Sequence, residues 1–327
     1  MSEPTASAEL IEDRGDAAAG DEFFRSRPFL DAEGVTHTLR IATADAELLT
    51  PLVVHEIPPP MGRNVAPEST FRPAGPEFDA ISPYGYPGIA APDGISVDPK
   101  AVDFAAAGLV TAFVRHTLGD PPLSGASERN VVQIADPGLP PKSRPSDRNQ
   151  INKNLRRGYE LQLVPGPETT AVQRAAFLAA YEQTMRRTGA TERYFFGATY
   201  LDRILESAQT WLALARAPDG EIAAASIAAR SDGYLHYYLS GSADSHLRDS
   251  PMKNIVASLV ELAAEQALPL NLGGGISPGD RLEEFKRGFA NRELPWRTSE
   301  IICDAKAYAR LSAGRGAGDF FPAYRAS

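Results

Sequence analysis

The sequence predicts an α/β protein with two domains, and three observations support this prediction. A chain of 327 residues with 43% hydrophobic residues can form two cores of ordinary size. Two helical stretches precede three strands joined by short turns, in the order 170–188, 200–207, 211–216, 222–230 and 233–240. A later strand at 270–272 runs through three glycines into an amphipathic helix. Together these elements predict a mixed, mostly antiparallel sheet flanked by helices.

The first 22 residues hold seven acidic side chains against Arg14 alone, and they offer little that could be buried. This composition predicts a disordered acidic tail at 1–22. Seven acids and one arginine give the tail a charge of −6, so the formal charge of −9 leaves −3 for the remainder. We expect a first domain at 23–145 and a second at 146–307, with residues 308–327 packing on the first.

A stretch rich in tyrosine, glycine and proline occupies residues 78–88 of the first domain. Because proline and glycine disfavour a helix or a central strand, Tyr84 and Tyr86 are expected on a rigid loop. There they either bind an acceptor substrate or lie on the protein's own surface. Residues 101–118 follow, and their apolar spacing predicts an amphipathic helix.

A basic segment covers residues 142–157, where six basic side chains stand against Asp147 alone. The six are Lys142, Arg144, Arg148, Lys153, Arg156 and Arg157. Such a local excess of positive charge in an acidic protein would attract phosphate groups. We expect Arg156 and Arg157 to bind the acceptor; the alternative is a solvated helix face without further function.

The strand at 233–240 places Tyr234, His236 and Tyr238 on one face, because side chains alternate along a strand. This face is the better candidate for lining a cleft. His236 has a reference pKa close to neutrality and could deprotonate an attacking amine, with Tyr238 beside it. The alternative is that His236 is a hydrogen-bonded structural residue.

The segment 270–289, LNLGGGISPGDRLEEFKRGF, predicts a strand, a glycine loop and a short helix. Glycines let a ligand lie directly against the backbone, and Asp280 is a good N-cap for the helix. Leu282, Phe285 and Phe289 form its apolar stripe, and Lys286 flanks that stripe. The lysine ammonium can therefore reach toward a ligand above the loop.

A strand ending in LGGG and a helix reading FKRGF resemble the second acyltransferase domain of the FemAB/FemX-like group of the GNAT superfamily. The resemblance implies two GNAT-like α/β domains with a transferase site between them. It further implies transfer of an aminoacyl group from aminoacyl-tRNA to the amine of a small-molecule or peptide acceptor. Peptidoglycan-precursor and natural-product biosynthesis are the expected settings, and some relatives use acyl-CoA instead.

The resemblance also assigns roles to individual residues. Lys286 would stabilise charge at the reacting carbonyl. Gly273, Gly274 and Gly275, together with Phe285, Arg287 and Arg248, would contact the donor. Alternatively, Phe285 packs in the core instead of contacting the donor, and Lys286 forms a surface ion pair with Glu283.

Arg248 stands where the pyrophosphate loop of a CoA-binding GNAT enzyme begins. Pro251 and Lys253 occupy the positions at which that loop has two small residues, usually glycines. Proline lacks an amide hydrogen, so CoA binding in the usual mode is disfavoured. Two alternatives stay open: an acyl-CoA-dependent N-acyltransferase, and a catalytically inactive GNAT fold that serves as a binding module.

Several other classes of protein are disfavoured by the sequence. The single cysteine, Cys303, excludes an internal disulfide and a cysteine-rich metal site. Signature motifs of serine hydrolases, phosphate-binding loops, zinc proteases and dinucleotide folds are missing. No stretch approaches the roughly 18 apolar residues of a membrane helix, and the N-terminus does not resemble a secretory signal. We expect a cytoplasmic enzyme with no metal, no cofactor and no membrane span.

Overall fold

The computed structural model of the protein describes residues 4–58, 75–315, 318 and 320–326. Its strands are β1 (Ala6–Ile11), β2 (His37–Ala42), β3 (Glu47–Glu56), β4 (Phe78–Ile81), β5 (Val102–Asp103), β6 (Thr111–Arg115), β7 (Ser127–Ala135), β8 (Glu160–Pro165), β9 (Thr210–Arg216), β10 (Ile222–Ser231), β11 (Tyr234–Ser242), β12 (Leu270–Asn271) and β13 (Arg292–Ile302). Its α-helices are α1 (Arg27–Ala32), α2 (Pro145–Arg156), α3 (Ala171–Thr188), α4 (Ala198–Ile204), α5 (Met252–Glu265), α6 (Arg281–Arg287) and α7 (Ala305–Ser312).

The chain divides into two compact units, as the two-domain prediction requires, but at different boundaries. Unit 1 comprises Met1–Ala19, Glu33–Arg129 and Arg297–Ser327, and unit 2 comprises Gly20–Ala32 and Asn130–Trp296. From the sequence, the boundary is expected between residues 145 and 146, within the basic segment. In the structure it falls inside β7 and β13, because each of these strands contributes residues to both units.

Unit 1 is built on a mixed sheet with the strand order β5-β1-β2-β3-β4-β6-β13. The pairs β1–β2, β2–β3, β3–β4 and β6–β13 are antiparallel, whereas β5 runs parallel to β1 and β6 runs parallel to β4. Buried aliphatic side chains, among them Leu39, Leu48 and Val114, form the core. Each lies on a strand, so the alternation of buried and exposed residues along these strands determines which face packs inward.

The expected disorder of residues 1–22 is wrong. Ala6 and Ala8 are buried in β1, which pairs with β2 in a register that opposes Ala8 and Ile41. Asp13 then fixes the following turn, because its carboxylate accepts hydrogen bonds from the amide of Gly15 and the hydroxyl of Thr38. Alanine offers little area to bury by itself, and a distant strand supplies the partner that orders this segment.

The helix expected at 101–118 is also wrong. This stretch forms β5, a short 3₁₀ turn at Ala105–Ala107, and β6. Gly108 ends the turn with φ of 71°, a left-handed conformation that glycine adopts easily. In β6, Thr111 and Val114 are β-branched, and pairing with β4 and β13 favours an extended chain over the local helical spacing.

The C-terminal segment packs on unit 1. Tyr324 is buried in a cluster with Ile57, Val110 and Ala307 of helix α7. Its hydroxyl donates a hydrogen bond of 3.0 Å to Asp79, and Arg325 forms an ion pair with the same carboxylate. These contacts attach Tyr324 and Arg325 to strand β4 through Asp79.

Unit 2 is built on a mixed sheet with the strand order β7-β12-β11-β10-β9-β8. Strands β9 to β11 form the antiparallel meander predicted from the sequence. Strand β8, which was not predicted, pairs antiparallel with β9, and β12 runs parallel to β11. Thr170 caps α3 through a capping box with Gln173. Gly241 lets α3 approach β11 closely, since a Cβ there would lie 2.5 Å from the backbone of Tyr181.

An N-terminal segment, Gly20–Ala32, completes unit 2. Phe23, Phe24 and Phe29 are fully buried, and the rings of all three lie within 6.4 Å of the ring of Tyr238 on β11. Arg25 adds an ion pair of 2.6 Å with Asp232. Aromatic burial on this scale makes the segment a part of the core of unit 2.

Candidate functional site

The glycine loop joins β12 to α6 and is held by two asparagines. Asn271 accepts a hydrogen bond of 2.8 Å from the amide of Gly273, which has φ of +74°. Asn130 on β7 donates one of 3.0 Å to the carbonyl oxygen of Gly275. Sequence reasoning missed both residues, because Asn130 is 145 positions away from its partner and Asn271 reads as part of the strand. The loop therefore has a fixed backbone conformation.

Each glycine of the loop occupies a position that lacks space for a side chain. A Cβ on Gly274 would lie 2.4 Å from the side-chain nitrogen of Asn130, and one on Gly275 would lie 2.6 Å from the carboxylate of Asp280. A Cβ on Gly273 would lie 3.1 Å from Nζ of Lys286. A bare backbone is therefore required at Gly274 and Gly275, whereas a side chain at Gly273 would crowd the lysine ammonium that lies beside it.

Asp280 connects the loop to α6 as the predicted N-cap. Its carboxylate accepts hydrogen bonds from the amides of Ile276 (2.7 Å), Ser277 (3.0 Å) and Glu283 (2.7 Å). These backbone donors lower the pKa of Asp280, because they stabilise the ionised carboxylate. One side chain thus fixes both the end of the loop and the start of the helix.

The buried side of α6 combines charged residues with part of the predicted apolar stripe, since Phe285 and Phe289 pack in the core of unit 2. Glu283 and Lys286 are buried, whereas Leu282 is 39% exposed. Glu283 accepts a hydrogen bond of 2.7 Å from the amide of Gly279 and forms an ion pair with Arg287. The helix therefore presents a glutamate and a lysine to the loop.

Lys286 lies at the centre of this arrangement. Its side chain is buried, and Nζ donates a hydrogen bond of 2.6 Å to the carbonyl oxygen of Gly274. Glu283 pairs with Arg287 instead, so the surface ion pair proposed as an alternative is not formed. Burial lowers the pKa of Lys286 to about 8, and the charge of Asp280 opposes that shift. At neutral pH the ammonium is therefore charged, poorly solvated and fixed next to the bare backbone of the loop.

The contacts of His236 favour the structural alternative over the predicted base. Nε2 lies 3.2 Å from the carbonyl oxygen of Ser231, and Nδ1 lies 3.1 Å from the amide nitrogen of Asn271. Because a carbonyl only accepts and an amide nitrogen only donates, the ring carries its proton on Nε2 and accepts at Nδ1. Burial lowers the pKa of His236 to about 4, and its ring packs edge-on against Phe24. Both ring nitrogens are therefore already engaged.

Tyr238, the other residue predicted to assist catalysis, belongs to an aromatic cluster. Its ring packs against Phe23, Phe24 and Phe29, and its hydroxyl lies 2.6 Å from the hydroxyl of Tyr200. These contacts position the N-terminal segment of unit 2. They give no direct link between Tyr238 and the glycine loop.

The predicted donor-binding side chains differ in their availability. Arg287 is held by Glu283 and lies 3.4 Å from the carboxylate of Glu293. Phe285 packs edge-on against Phe289, with ring centroids 5.6 Å apart. Arg248 is exposed, and within the described residues it forms neither an ion pair nor a side-chain hydrogen bond. Arg248 therefore keeps an available positive charge.

The predicted acceptor-binding residues are dispersed over both units. Tyr84 and Tyr86 lie in unit 1, where the amide of Tyr84 donates a hydrogen bond of 2.8 Å to Glu33. Arg157 of unit 2 forms an ion pair with Asp249. Arg156 is exposed at the end of α2.

The turn before α5 lacks the free amides that a pyrophosphate site requires. The amides of Lys253 and Asn254 donate to the carbonyl oxygens of Ser250 and Pro251, each at 3.0 Å. Pro251 has no amide hydrogen. The side chain of Lys253 also forms an ion pair of 2.9 Å with Asp147 of α2. The N-terminus of α5 is therefore largely closed to a phosphate.

The comparisons with known proteins agree with this architecture. Residues 142–287 match the family model described as an acetyltransferase (GNAT) domain. The crystal structure of FemX shares the fold with a TM-score of 0.52 and 11% identity, over 84% of this chain and 90% of FemX. The C-terminal domain of a putative lysylphosphatidylglycerol synthetase from Agrobacterium fabrum has the same fold, with a TM-score of 0.50 and 15% identity. That alignment covers 90% of this chain and 92% of the synthetase domain.

A third structure, L-PGS from Bacillus licheniformis, aligns with a TM-score of 0.42 and 15% identity. That alignment covers 54% of this chain and 60% of L-PGS, less than two thirds of its length. None of the curated proteins matches the sequence.

The family match makes residues 142–287 a GNAT acyltransferase domain. Over 84% of its length the chain resembles FemX in fold, and at 11% identity the fold is what the two proteins share. The sequence-based predictions of a mixed α/β fold and of a GNAT acyltransferase domain are confirmed, and the predicted likeness to FemX is a likeness of fold. Among the described residues, no helix is both long and apolar enough to span a membrane.

Proposed function

We propose that the protein transfers an aminoacyl group from aminoacyl-tRNA to the amine of a small-molecule or peptide acceptor. The observation that carries this proposal is Lys286, whose buried ammonium lies against the glycine loop. A charge in a poorly solvated site stabilises an oxyanion more strongly than the same charge in water. The proposed donor is an activated ester, so no cofactor and no metal are required for the transfer.

The proposed reaction is an aminolysis. The neutral amine nitrogen attacks the ester carbonyl carbon, a C–N bond forms, and the carbonyl oxygen becomes an oxyanion beside Nζ of Lys286. The nitrogen then loses a proton to solvent. When the oxyanion collapses, the C–O bond to the ribose breaks, and the ribose oxygen leaves with the bonding pair and takes up a proton. Positioning and one fixed positive charge account for most of the catalysis required.

The turn before α5 supports tRNA over CoA as the donor. Pro251 and the internally bonded amides of Lys253 and Asn254 leave little of the helix N-terminus available for a pyrophosphate. The fold of FemX is consistent with this choice. The expected setting is the synthesis of a peptidoglycan precursor or of a natural product.

The second candidate is an acyl-CoA-dependent N-acyltransferase. One specific observation favours it, namely that the family model matching residues 142–287 is described as an acetyltransferase domain. Under this alternative, Lys286 keeps the same role at a thioester carbonyl, and the pyrophosphate binds elsewhere than at the turn before α5.

The two candidates are separated by a donor test. The purified protein is incubated with a charged tRNA pool and an amine panel, and separately with a panel of acyl-CoA thioesters, and consumed donor and product are read by mass spectrometry. We expect product from the tRNA pool, and we expect RNase treatment to abolish it. Product formed from acyl-CoA at the same rate with and without RNase would contradict the tRNA donor.

A further inference from the structure

Helix α2 has an exposed face that is cationic and free of carboxylates. The helix contains one acidic residue, Asp147, which is buried and paired with Lys253 at 2.9 Å. Its exposed positions hold three cations, Arg148, Lys153 and Arg156. None of these three forms an ion pair within the part of the chain that the structure describes. Arg148 does donate to the carbonyl oxygen of Ser143, which leaves its charge uncompensated.

The remaining exposed side chains of this face suit a polar, anionic partner. Asn149 and Asn152 lie one helical turn from Lys153 and Arg156, so amides and cations form one stripe. Leu155, at 47% exposure, is the one large apolar side chain exposed on α2. A helix that binds a membrane surface needs a broad apolar face, and α2 lacks one. Arginine, lysine and asparagine are instead the side chains that contact nucleic-acid phosphates and sugars.

The neighbouring elements leave this charge available. Arg157 follows α2 and pairs with Asp249, while Asn154 donates a hydrogen bond of 2.8 Å to the carbonyl oxygen of Asp249. These contacts fix the end of α2 beside a 3₁₀ helix at Asp244–Asp249. This helix carries Arg248, an exposed cation without an ion pair in the described residues. The acids at this junction are therefore engaged, and the cations on the outer face of α2 are not.

We propose that the exposed face of α2 is a docking surface for the phosphate backbone of RNA, which binds the body of the donor tRNA. This inference rests on the proposed tRNA donor, and it reassigns Arg156 from the acceptor to the donor. From Arg148 to Arg156 the helix rises about 12 Å, a length over which a nucleic-acid duplex presents several phosphates. Contacts of this kind hold and orient RNA without reading its sequence.

The test measures binding of deacylated tRNA, so that binding is separated from turnover. In the test variant Arg148, Lys153 and Arg156 are all replaced by glutamine, which retains helix propensity. The matched control replaces three exposed cations of unit 1, Lys100, Arg129 and Lys306, in the same way. Both variants change the net charge equally, so the comparison isolates position from total charge. Circular dichroism verifies that α2 stays folded, and the double variant Lys153→Gln/Arg156→Gln replaces the triple variant if it does not.

We expect the α2 variant to weaken tRNA binding about tenfold or more and to reduce the slope of log K against log salt by roughly 2 to 3, one lost contact per cation. The unit 1 control should bind nearly as the wild type does. Equal weakening in both variants, or an unchanged salt slope in the α2 variant, would overturn the docking surface.

Two further outcomes separate this inference from the proposed function. If the α2 variant binds tRNA normally and RNase-sensitive transfer continues, the docking surface is wrong and the tRNA donor stands. If the wild type binds no tRNA and uses acyl-CoA, the tRNA donor itself is wrong. Binding to phosphatidylglycerol vesicles that the α2 variant loses, together with unchanged tRNA binding, would identify the face as a lipid surface and overturn the RNA assignment.

Discussion

Replacing Lys286 with methionine should alter stability and activity in different ways. Burial lowers the pKa of this lysine from 10.5 to about 8. Since one pKa unit corresponds to about 1.36 kcal/mol, the charged ammonium costs the fold about 3 kcal/mol below pH 8. Methionine removes this cost, but it leaves the carbonyl oxygen of Gly274 without its donor, which costs about 1–3 kcal/mol. At pH 7 the variant should therefore be as stable as the wild type or more stable by up to about 2 kcal/mol.

The pH dependence of this stability difference is the more specific result. The folded pKa of Lys286 is about 8 and the ordinary value is 10.5, so between them the unfolded state binds more protons than the folded state. Wild-type stability therefore rises with pH across that window, and the stability of the variant does not. The advantage of the variant should shrink by about 3 kcal/mol between pH 7 and pH 10.5.

Urea unfolding at pH 7 and pH 10 measures this difference in unit 2, because both tryptophans, Trp211 and Trp296, lie there. Lys100→Met, at an exposed lysine of unit 1, is the matched control and should show no such change. If the free energies of unfolding of the wild type and of Lys286→Met differ by the same amount at both pH values, the burial of a charged lysine is refuted.

The activity of the same variant tests the role of the ammonium. Turnover should fall by roughly 10²–10³, the usual loss for one group that stabilises an oxyanion. The ratio of wild-type turnover to Lys286→Arg turnover should decline as the pH rises through about 8. The reason is that Lys286 loses its charge in this range, whereas an arginine at the same position stays charged. A relative rate that rises up to pH 8 would contradict this role and indicate a neutral lysine acting as a base.

Two further substitutions test the loop and the N-terminal strand. Gly273→Ala should lower turnover about tenfold or more, because the new Cβ would lie 3.1 Å from Nζ of Lys286. The same substitution should lower the stability by about 1 kcal/mol, because residue 273 has a positive φ. Gly279→Ala is the control, because residue 279 also has a positive φ but has open space around the position of a Cβ. Equal losses of turnover in the two variants would contradict the explanation that the Cβ at residue 273 crowds the ammonium of Lys286. Ala8→Asp should destabilise unit 1 by about 3 kcal/mol in thermal unfolding, because it buries a charge, whereas Ser7→Asp on the exposed face of β1 should be nearly neutral. Equal melting temperatures for these two variants would show that β1 does not form.

The features predicted correctly are those whose signals are local in sequence. The N-cap of Asp280 depends on Glu283, three positions away, and it forms as predicted. Strand β1 could not be predicted in the same way, because Ala8 acquires its burial from Ile41, far along the chain. The face of α6 was predicted wrongly for a related reason. Its spacing favoured burial of Leu282, but the loop packs on the neighbouring flank of the helix, so Glu283 and Lys286 are buried and Leu282 is 39% exposed.

The position of the segment Gly20–Ala32 has a consequence for how the protein folds during its synthesis. Phe23, Phe24 and Phe29 leave the ribosome more than two hundred residues before Tyr238, the strand residue on which they pack. At about 5–20 residues per second, the three phenylalanines wait roughly 10–40 s for this partner. Throughout that interval a nascent chain exposes an aromatic cluster suited to a chaperone, and unit 2 expressed from Asn130 alone would lack these rings from its core.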